Sequence, residues 1–586
     1  MELNNVKGGV LNDVLIVGAG PSGLTLAIDL ARRGVRARVV ERGEALFPGS
    51  RGKGLQPRTQ EVFDDLGVSD AVREAGGPYP PMLGWRDGQP LGTFQMIERY
   101  DPAPDRPYHE IWMLPQWRTV EILYARLREL GGGVEFGTEL TGLEQDADGV
   151  TARLAYADGS AGTARAAYLV AADGGRSTVR KRLGIGMTGE TVDPAPALIA
   201  DVVIDGDALI DGDAVADGDM VIDGDALIDG DAVIDGDTAI DGAERGLGRD
   251  HWHVWQDAKG GAIALCPLPG TDQFQVAAQY DDPDAVPDIS AEAVRQLIAD
   301  RTHLAASDVR EVRWASTFTP RAAMADRFRA DRIFLIGDAA HIHSPAGGQG
   351  LNTSVQDAYN LGWKLGQVLR HGANPALLDS YEAERLPIAA GVLGISTRLH
   401  RAHRAGDAEG RRRTSEVHQL GLSYREGPLA VDERDDGAER HDGADRHDRN
   451  DEADRHDGAE RNDRDDRHHP GPVGAGDRAP DAPCALPDGT PVRLFDILRG
   501  PHFTLLILGD AAPPTPDADF GGLAPTLGTA GCVRTIRAGG PSPDLLDPNG
   551  HLTTAYGPAP ALFLIRPDGY VCWAAAGARV CPLLPH

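Results

Sequence analysis

The chain has 586 residues, 41% of them hydrophobic and 25% charged, the make-up of a globular protein with two or three cores rather than one. Its net charge of −31 is concentrated: residues 203–242 hold thirteen Asp and no basic residue, and 432–467 hold sixteen acids against eight Arg, so about two thirds of the excess lies there. The rest is mildly acidic without a basic face, which argues against nucleic acid or anionic lipid as a partner, and with no apolar run of eighteen residues and no leader-type segment a cytoplasmic protein is expected.

The chain opens as a strand, a turn, a helix and a second strand. Val14, Leu15, Ile16 and Val17 form the apolar run of a buried parallel strand, and residues 22–33 place Leu24, Ala27, Ile28 and Ala31 at helical spacing before Gly34. A second strand over 36–40 ends at Glu41, so the opening is βαβ. Between strand and helix stands Gly18-Ala-Gly20-Pro21-Ser22-Gly23. Gly18 suits a tight turn, Gly20 lets backbone approach a pyrophosphate, and Gly23 permits close packing of helix on strand. The helix N-terminus offers free N–H groups to phosphate, and Glu41 can accept hydrogen bonds from a ribose. This motif alone does not choose between flavin and nicotinamide dinucleotides.

Further along, Tyr168 to Ala172 is a strand running into Asp173-Gly174-Gly-Arg-Ser177-Thr-Val-Arg180. Over 203–242 the triplet Asp-Gly-Asp recurs every six residues; a calcium-binding repeat is conceivable, but the known nonapeptide pattern is unmatched, and a tandem expansion in a surface loop is favoured. In the following strand, alternation puts His251, His253 and Trp255 on one face and Trp252 on the other, and either face could line a pocket. The next strand covers 262–268. Ile333 to Ile336 is another strand, followed by Gly337-Asp338-Ala-Ala-His-Ile-His-Ser-Pro345-Ala-Gly-Gly348-Gln-Gly350-Leu351-Asn352 and a helix over 353–369 with Val355, Ala358, Leu361, Leu365 and Val368 on one face. Residues 432–469, almost without apolar side chains, read as a disordered linker. Globular composition returns at 470: 503–508 is a buried strand, and 561–573 is a hairpin around Pro567-Asp568-Gly569. The five cysteines (266, 484, 532, 572 and 581) contain no C-x-x-C pair, which argues against a disulfide framework, a zinc site or a dithiol centre.

The Gly18, Asp173 and Gly337-Asp338 segments, taken in order, resemble the three flavin motifs of the group A flavoprotein monooxygenases, the p-hydroxybenzoate hydroxylase-like family. PAGGQGLNTSVQDAYNLGWKL resembles especially the branch with phenol hydroxylase and bacterial polyketide hydroxylases. The resemblance spans about residues 12 to 400. It implies an α/β protein: a Rossmann-like FAD-binding domain over 12–185 and 322–430, a β-sheet substrate domain over 186–321 inserted into it, and a thioredoxin-like α/β domain over 470–586. It implies that Gly18, Gly20, Pro21, Ser22 and Gly23 lie at the FAD pyrophosphate, Glu41 and Arg42 at the adenosine ribose, and Gly337 and Asp338 at the ribityl chain. Pro345, Gly348, Gly350, Leu351 and Asn352 would lie against the isoalloxazine, where a helix N-terminus stabilises negative charge on the reduced ring. Arg51, in the segment Ser50 to Arg58, and Gln116 and Arg118 match flavin-contacting positions, while Asp173 belongs to a motif tied to both FAD and NAD(P)H.

No second nucleotide motif is present, and the family's reductant, NADPH or NADH, binds transiently. The implied reaction is hydroxylation of a phenolic or polycyclic, polyketide-like aromatic by O2 through a flavin C4a-hydroperoxide, in a monomer or homodimer with no metal. Trp252, His253 and Trp255 are the substrate candidates, and no catalytic acid or base is named. Baeyer–Villiger oxygen insertion on the same fold and a non-catalytic flavin-binding interaction protein remain alternatives. A flavin halogenase is disfavoured, because W-x-W-x-I-P is absent.

Overall fold

A computed structural model describes residues 12–209, 246–345, 347–405, 413–434, 472–514, 518–528 and 532–577. Most of the Asp-Gly-Asp array, most of the proposed linker, and Cys581 lie outside the described residues. The chain divides into two compact units, one of Met1–Ala103, Tyr108–Leu420 and Thr526–Gly528, the other of Pro104–Pro107, Gly421–Pro525 and Thr529–His586.

In the first unit, strand Asn12–Val17 is the centre of a parallel sheet because its side chains from Val14 on are buried on both faces. It pairs on one side with Ala37–Val40 and on the other with Ala161–Ala171, which in turn pairs with Ile333–Leu335. The three strands that carry motifs are therefore adjacent and parallel. Helix Pro21–Arg32 crosses back over the sheet and packs on the 21-residue helix Gly350–Arg370. Gly362 makes that approach possible, since a Cβ there would come within 2.3 Å of Asp29 Oδ2. The second helix starts three residues before its predicted beginning, so that its first turn abuts the glycine-rich loop.

A second, seven-stranded sheet has the order Val309–Phe318, Ala197–Ile204, Gln273–Gln279, Ile263–Pro267, Trp252–Trp255, Met82–Arg86, Gln89–Phe94. Its last two strands come from the stretch that the sequence assigned wholly to the nucleotide-binding domain. The reason is tertiary: Trp85 stacks on Trp255 with ring centroids 6.0 Å apart and donates its indole N–H to His253 Nδ1 at 3.0 Å, joining the hairpin to this core. Leu198, Ala200, Val202, Ile263, Leu265, Phe274 and Val276 pack on that same face with Val294 and Ile298 of helix Ala291–Arg301. Alternation leaves Ile199, Asp201, Val203, Gln275 and Trp252 on the opposite face.

The second unit holds a five-stranded sheet in the order Val431–Asp432, Val571–Ala576, Ala561–Ile565, Phe503–Leu508, Val533–Ala538. Phe503–Leu508 runs parallel to Val533–Ala538 and antiparallel to Ala561–Ile565, the strand directions of a thioredoxin-like unit. Here the expected linker boundary moves: Val431 and Asp432 pair with Trp573 and Ala574 and so belong to the sheet. The four described cysteines are all buried. Among the described residues no helix is long and apolar enough to cross a membrane.

Candidate active site

The three motifs meet because their strands end level. The N–H of Gly18 reaches Val40 O at 2.8 Å, that of Ala172 reaches Val17 O at 2.8 Å, and that of Ile336 reaches Ala171 O at 3.0 Å. Beyond these bonds the three chains turn away together, at the carboxyl edge where open α/β sheets take their ligands. Gly18 has φ +108°, and a Cβ there would lie 2.3 Å from Ala172 O; at Gly23 a Cβ would lie 2.1 Å from Gly18 O. Both positions admit only glycine for reasons internal to the fold. Gly20 differs, because a Cβ there would meet nothing within 4 Å. Its space is open, and it faces a helix whose N-terminus carries no side-chain cap. Glu41 braces this turn by accepting from the N–H of Ala19 and of Gly43, each at 2.9 Å, while Arg42 is exposed.

Gly337 touches the first motif directly, since a Cβ there would approach Ser354 Oγ at 2.8 Å and Ser22 Oγ at 3.1 Å. Asp338, next to it, has an exposed side chain that is nonetheless hemmed in by protein atoms. Desolvation lifts its carboxyl above the ordinary range, against the pull of His341 and Arg51. Beneath it is a fully buried network that sequence reasoning missed. Asp357 accepts from the N–H of Gly337 at 3.0 Å, is joined to His341 Nε2 at 2.6 Å, and accepts from Arg385 Nε at 2.8 Å. Burial would raise the Asp357 carboxyl, but His341 and Arg385 overcome it and hold it at about 2. His343 Nε2 lies 3.0 Å from His341 Nδ1, and burial keeps His343 neutral.

Pro345 and Gly348 are exposed at the front of the loop, and helix Gly350–Arg370 begins behind it without a side-chain cap. The Asn352 side chain is taken up by the protein itself, accepting from Gln56 N and donating to Gly54 O and Gly348 O, each at 2.8 Å. It therefore acts by fixing segment 54–56 against the loop. Leu351 and Gln116 flank Gly52, whose N–H donates to Gln116 Oε1 at 3.1 Å. Arg51 is exposed, with its guanidinium 5.2 Å from the Phe47 ring centroid, and its charge is felt at Asp338. Arg118 is on the surface and pairs with Glu121 at 3.0 Å. Asp173 Oδ2 accepts from Thr178 N at 2.7 Å and Val179 N at 3.2 Å, while its buried Oδ1 meets no donor among the described residues.

The substrate candidates separate. His253 is fully buried with both ring nitrogens engaged, by Trp85 Nε1 and by Gly248 O at 2.7 Å, and burial lowers its pKa to about 4. Trp255 lies in the same core, so neither reaches the face turned towards the flavin motifs. Trp252 does: the Lys53 ammonium lies 4.3 Å from its ring centroid and Tyr79 packs on it at 6.2 Å.

These residues suit FAD. Gly20 leaves open space at an uncapped helix start beside Glu41, and Asp338 and Pro345 are exposed beyond the strand ends, features that fit a dinucleotide. The relatives agree. A sequence family described as FAD binding domain matches residues 12–215 and 240–396, and one described as aromatic-ring hydroxylase, C-terminal, matches 473–583. A flavin-dependent monooxygenase of Mycobacteroides abscessus is 40% identical over 95% of this chain and 96% of its own. A 6-methylpretetramide 4-monooxygenase of Streptomyces rimosus is 32% identical over 97% of this chain and 91% of its own. The solved ternary complex of aklavinone-11 hydroxylase with FAD and aklavinone superposes with a TM-score of 0.71 at 28% identity, covering 99% of this chain and 97% of that one. The chain thus belongs to the FAD-binding aromatic-ring hydroxylases and is an FAD-dependent aromatic monooxygenase.

Proposed function

We propose that the protein hydroxylates a polycyclic phenol, using O2 and a transiently bound NADPH or NADH in the cytoplasm. The observation that carries this is the seam itself: segment 50–56 is bonded to Gln116 and Asn352 on the flavin side, and its Lys53 reaches Trp252 and Gln275 on the substrate sheet. FAD, when bound, supplies hydride acceptance and oxygen activation. Gly20 and the start of helix Pro21–Arg32 would hold its pyrophosphate, Glu41 its ribose, and Asp338 its ribityl chain. The uncapped start of helix Gly350–Arg370 would favour negative charge near the Pro345 loop. Trp252 and Tyr79 would exclude water from the reacting ring.

The test is anaerobic mixing of the yellow holoprotein with NADPH or NADH, with and without a panel of polycyclic phenols. The proposal expects flavin reduction that a phenol of the panel accelerates. Reduction at one slow rate with every compound, or none at all, would favour a flavin-binding protein without turnover.

A further inference from the structure

Lys53 is held at both flanks and from its own backbone: Gly52 N–H bonds Gln116, Gly54 O accepts from Asn352, and Lys53 O accepts from Leu114 N at 2.7 Å. Its side chain is thereby aimed away from the flavin motifs and across to the substrate sheet. There the ammonium donates to Gln275 Oε1 and covers the face of Trp252. Gln275 is used up at both ends, because its Nε2 donates to Ser50 O at 2.5 Å.

The surroundings supply donors and few acceptors. The Trp252 indole N–H meets no acceptor among the described residues. Tyr79, whose ring is tilted 43° to that indole, is kept a phenol by burial. Cys266, on the neighbouring strand, is kept a thiol, pushed by burial up to about 11. Asp201 is fully buried on the same face of the sheet, with Ser50 its nearest polar neighbour. Lys53 is near enough for its charge to pull the Asp201 carboxyl down, although burial is the larger effect and lifts it to about 6. A cation on an aromatic face, beside an unmatched indole N–H and a neutral phenol, suits a flat ring bearing an oxyanion.

We propose that Lys53 is the specificity-determining residue of the hydroxylase: its ammonium takes the ionised phenol or enol oxygen of a polycyclic ring lying against Trp252, so that the site selects phenolates over their ethers. This rests on the proposed hydroxylation of a polycyclic phenol. A bound phenolate is also the more electron-rich ring, so the same contact that selects the substrate holds it in its reactive form.

The probe is alizarin, a dihydroxyanthraquinone whose colour reports its ionisation, titrated into holoenzyme below its own solution pKa, with its dimethyl ether as control. Wild type should bind alizarin in the ionised colour. Lys53→Met should bind it about tenfold or more weakly and in the neutral colour, as expected for loss of a charge-assisted bond. Lys53→Arg should keep most of the colour shift, and the dimethyl ether should bind wild type and Lys53→Met alike. FAD content and circular dichroism establish that each variant is folded. If Lys53→Met binds alizarin as tightly and in the same ionised colour as wild type, Lys53 is not the anchor, although the polycyclic reading survives. If wild type binds neither alizarin nor its ether, the substrate class fails and the assignment falls with it.

Discussion

Three glycines of one motif are required for different reasons, and substitution separates them. Gly18 and Gly23 press on backbone within 2.3 Å of a would-be Cβ, so alanine at either must displace the Ala172 turn or the start of the helix. Gly18→Ala and Gly23→Ala should each unfold the first unit at lower denaturant, by several kcal/mol. Gly20→Ala should leave the stability of the FAD-free protein within about 0.5 kcal/mol of wild type, yet weaken FAD binding at least about tenfold. Equilibrium denaturation and flavin titration, run side by side on the three variants, check this. At Asp201 the residue-scale prediction concerns pH. Burial raises its carboxyl from 3.8 to about 6, so the unfolded chain releases that proton more readily than the folded one. Stability then falls as pH rises from about 4 to about 6 and stays lower above it, by a cost on the order of 3 kcal/mol. Asp201→Asn should remove this slope and be more stable than wild type at pH 8. A variant that is less stable than wild type at pH 8 would mean that the buried carboxylate is favourably paired.

At the scale of elements, Asp357 fastens helix Gly350–Arg370 to the turn that presents Asp338, and Arg385 of helix Asp379–Ala405 completes the ion pair. Asp357, Arg385 and His341 all have fully buried side chains. Arg385→Met removes one of the cations paired with buried Asp357, leaving His341 and the Gly337 N–H in place, and should cost about 3 kcal/mol by chemical denaturation. Because the carboxyl is held near 2 in the native protein, its stabilisation is present above the ordinary 3.8 and is lost as pH falls towards 2. In Arg385→Met the acid transition should therefore begin at higher pH. The motif-bearing strands and loops were legible in the sequence, because backbone chemistry at a strand-to-helix turn constrains several neighbouring residues at once. Asp357, Arg385, Asp201 and Lys53 were not, because each is a single polar residue whose partner lies on another element. One signal was present for Asp201, an acid alone in the apolar strand Ala197–Ile204. The hairpin Met82–Arg86 and Gln89–Phe94 was illegible for the same reason: Trp85 and its partner His253 are separated by 168 residues.

For the molecule as a whole, the second unit has the strand directions of a thioredoxin-like fold but not its chemistry. Cys484 is buried with its thiol lifted to about 12, and Cys532 and Cys572 are buried too. Native protein at pH 8 should therefore resist iodoacetamide at these three residues and should not reduce insulin; prompt alkylation of any of them would contradict their burial. The central claim is that one FAD, held along the carboxyl edge of three adjacent strands, delivers oxygen to an aromatic ring seated against the substrate sheet. The most direct measurement is mass spectrometry of the product formed by holoenzyme, NADPH or NADH and a turned-over polycyclic phenol under isotopically labelled dioxygen. The account predicts a hydroxylated ring carrying one labelled oxygen. A ring-expanded lactone, or a new oxygen drawn from water, would contradict it.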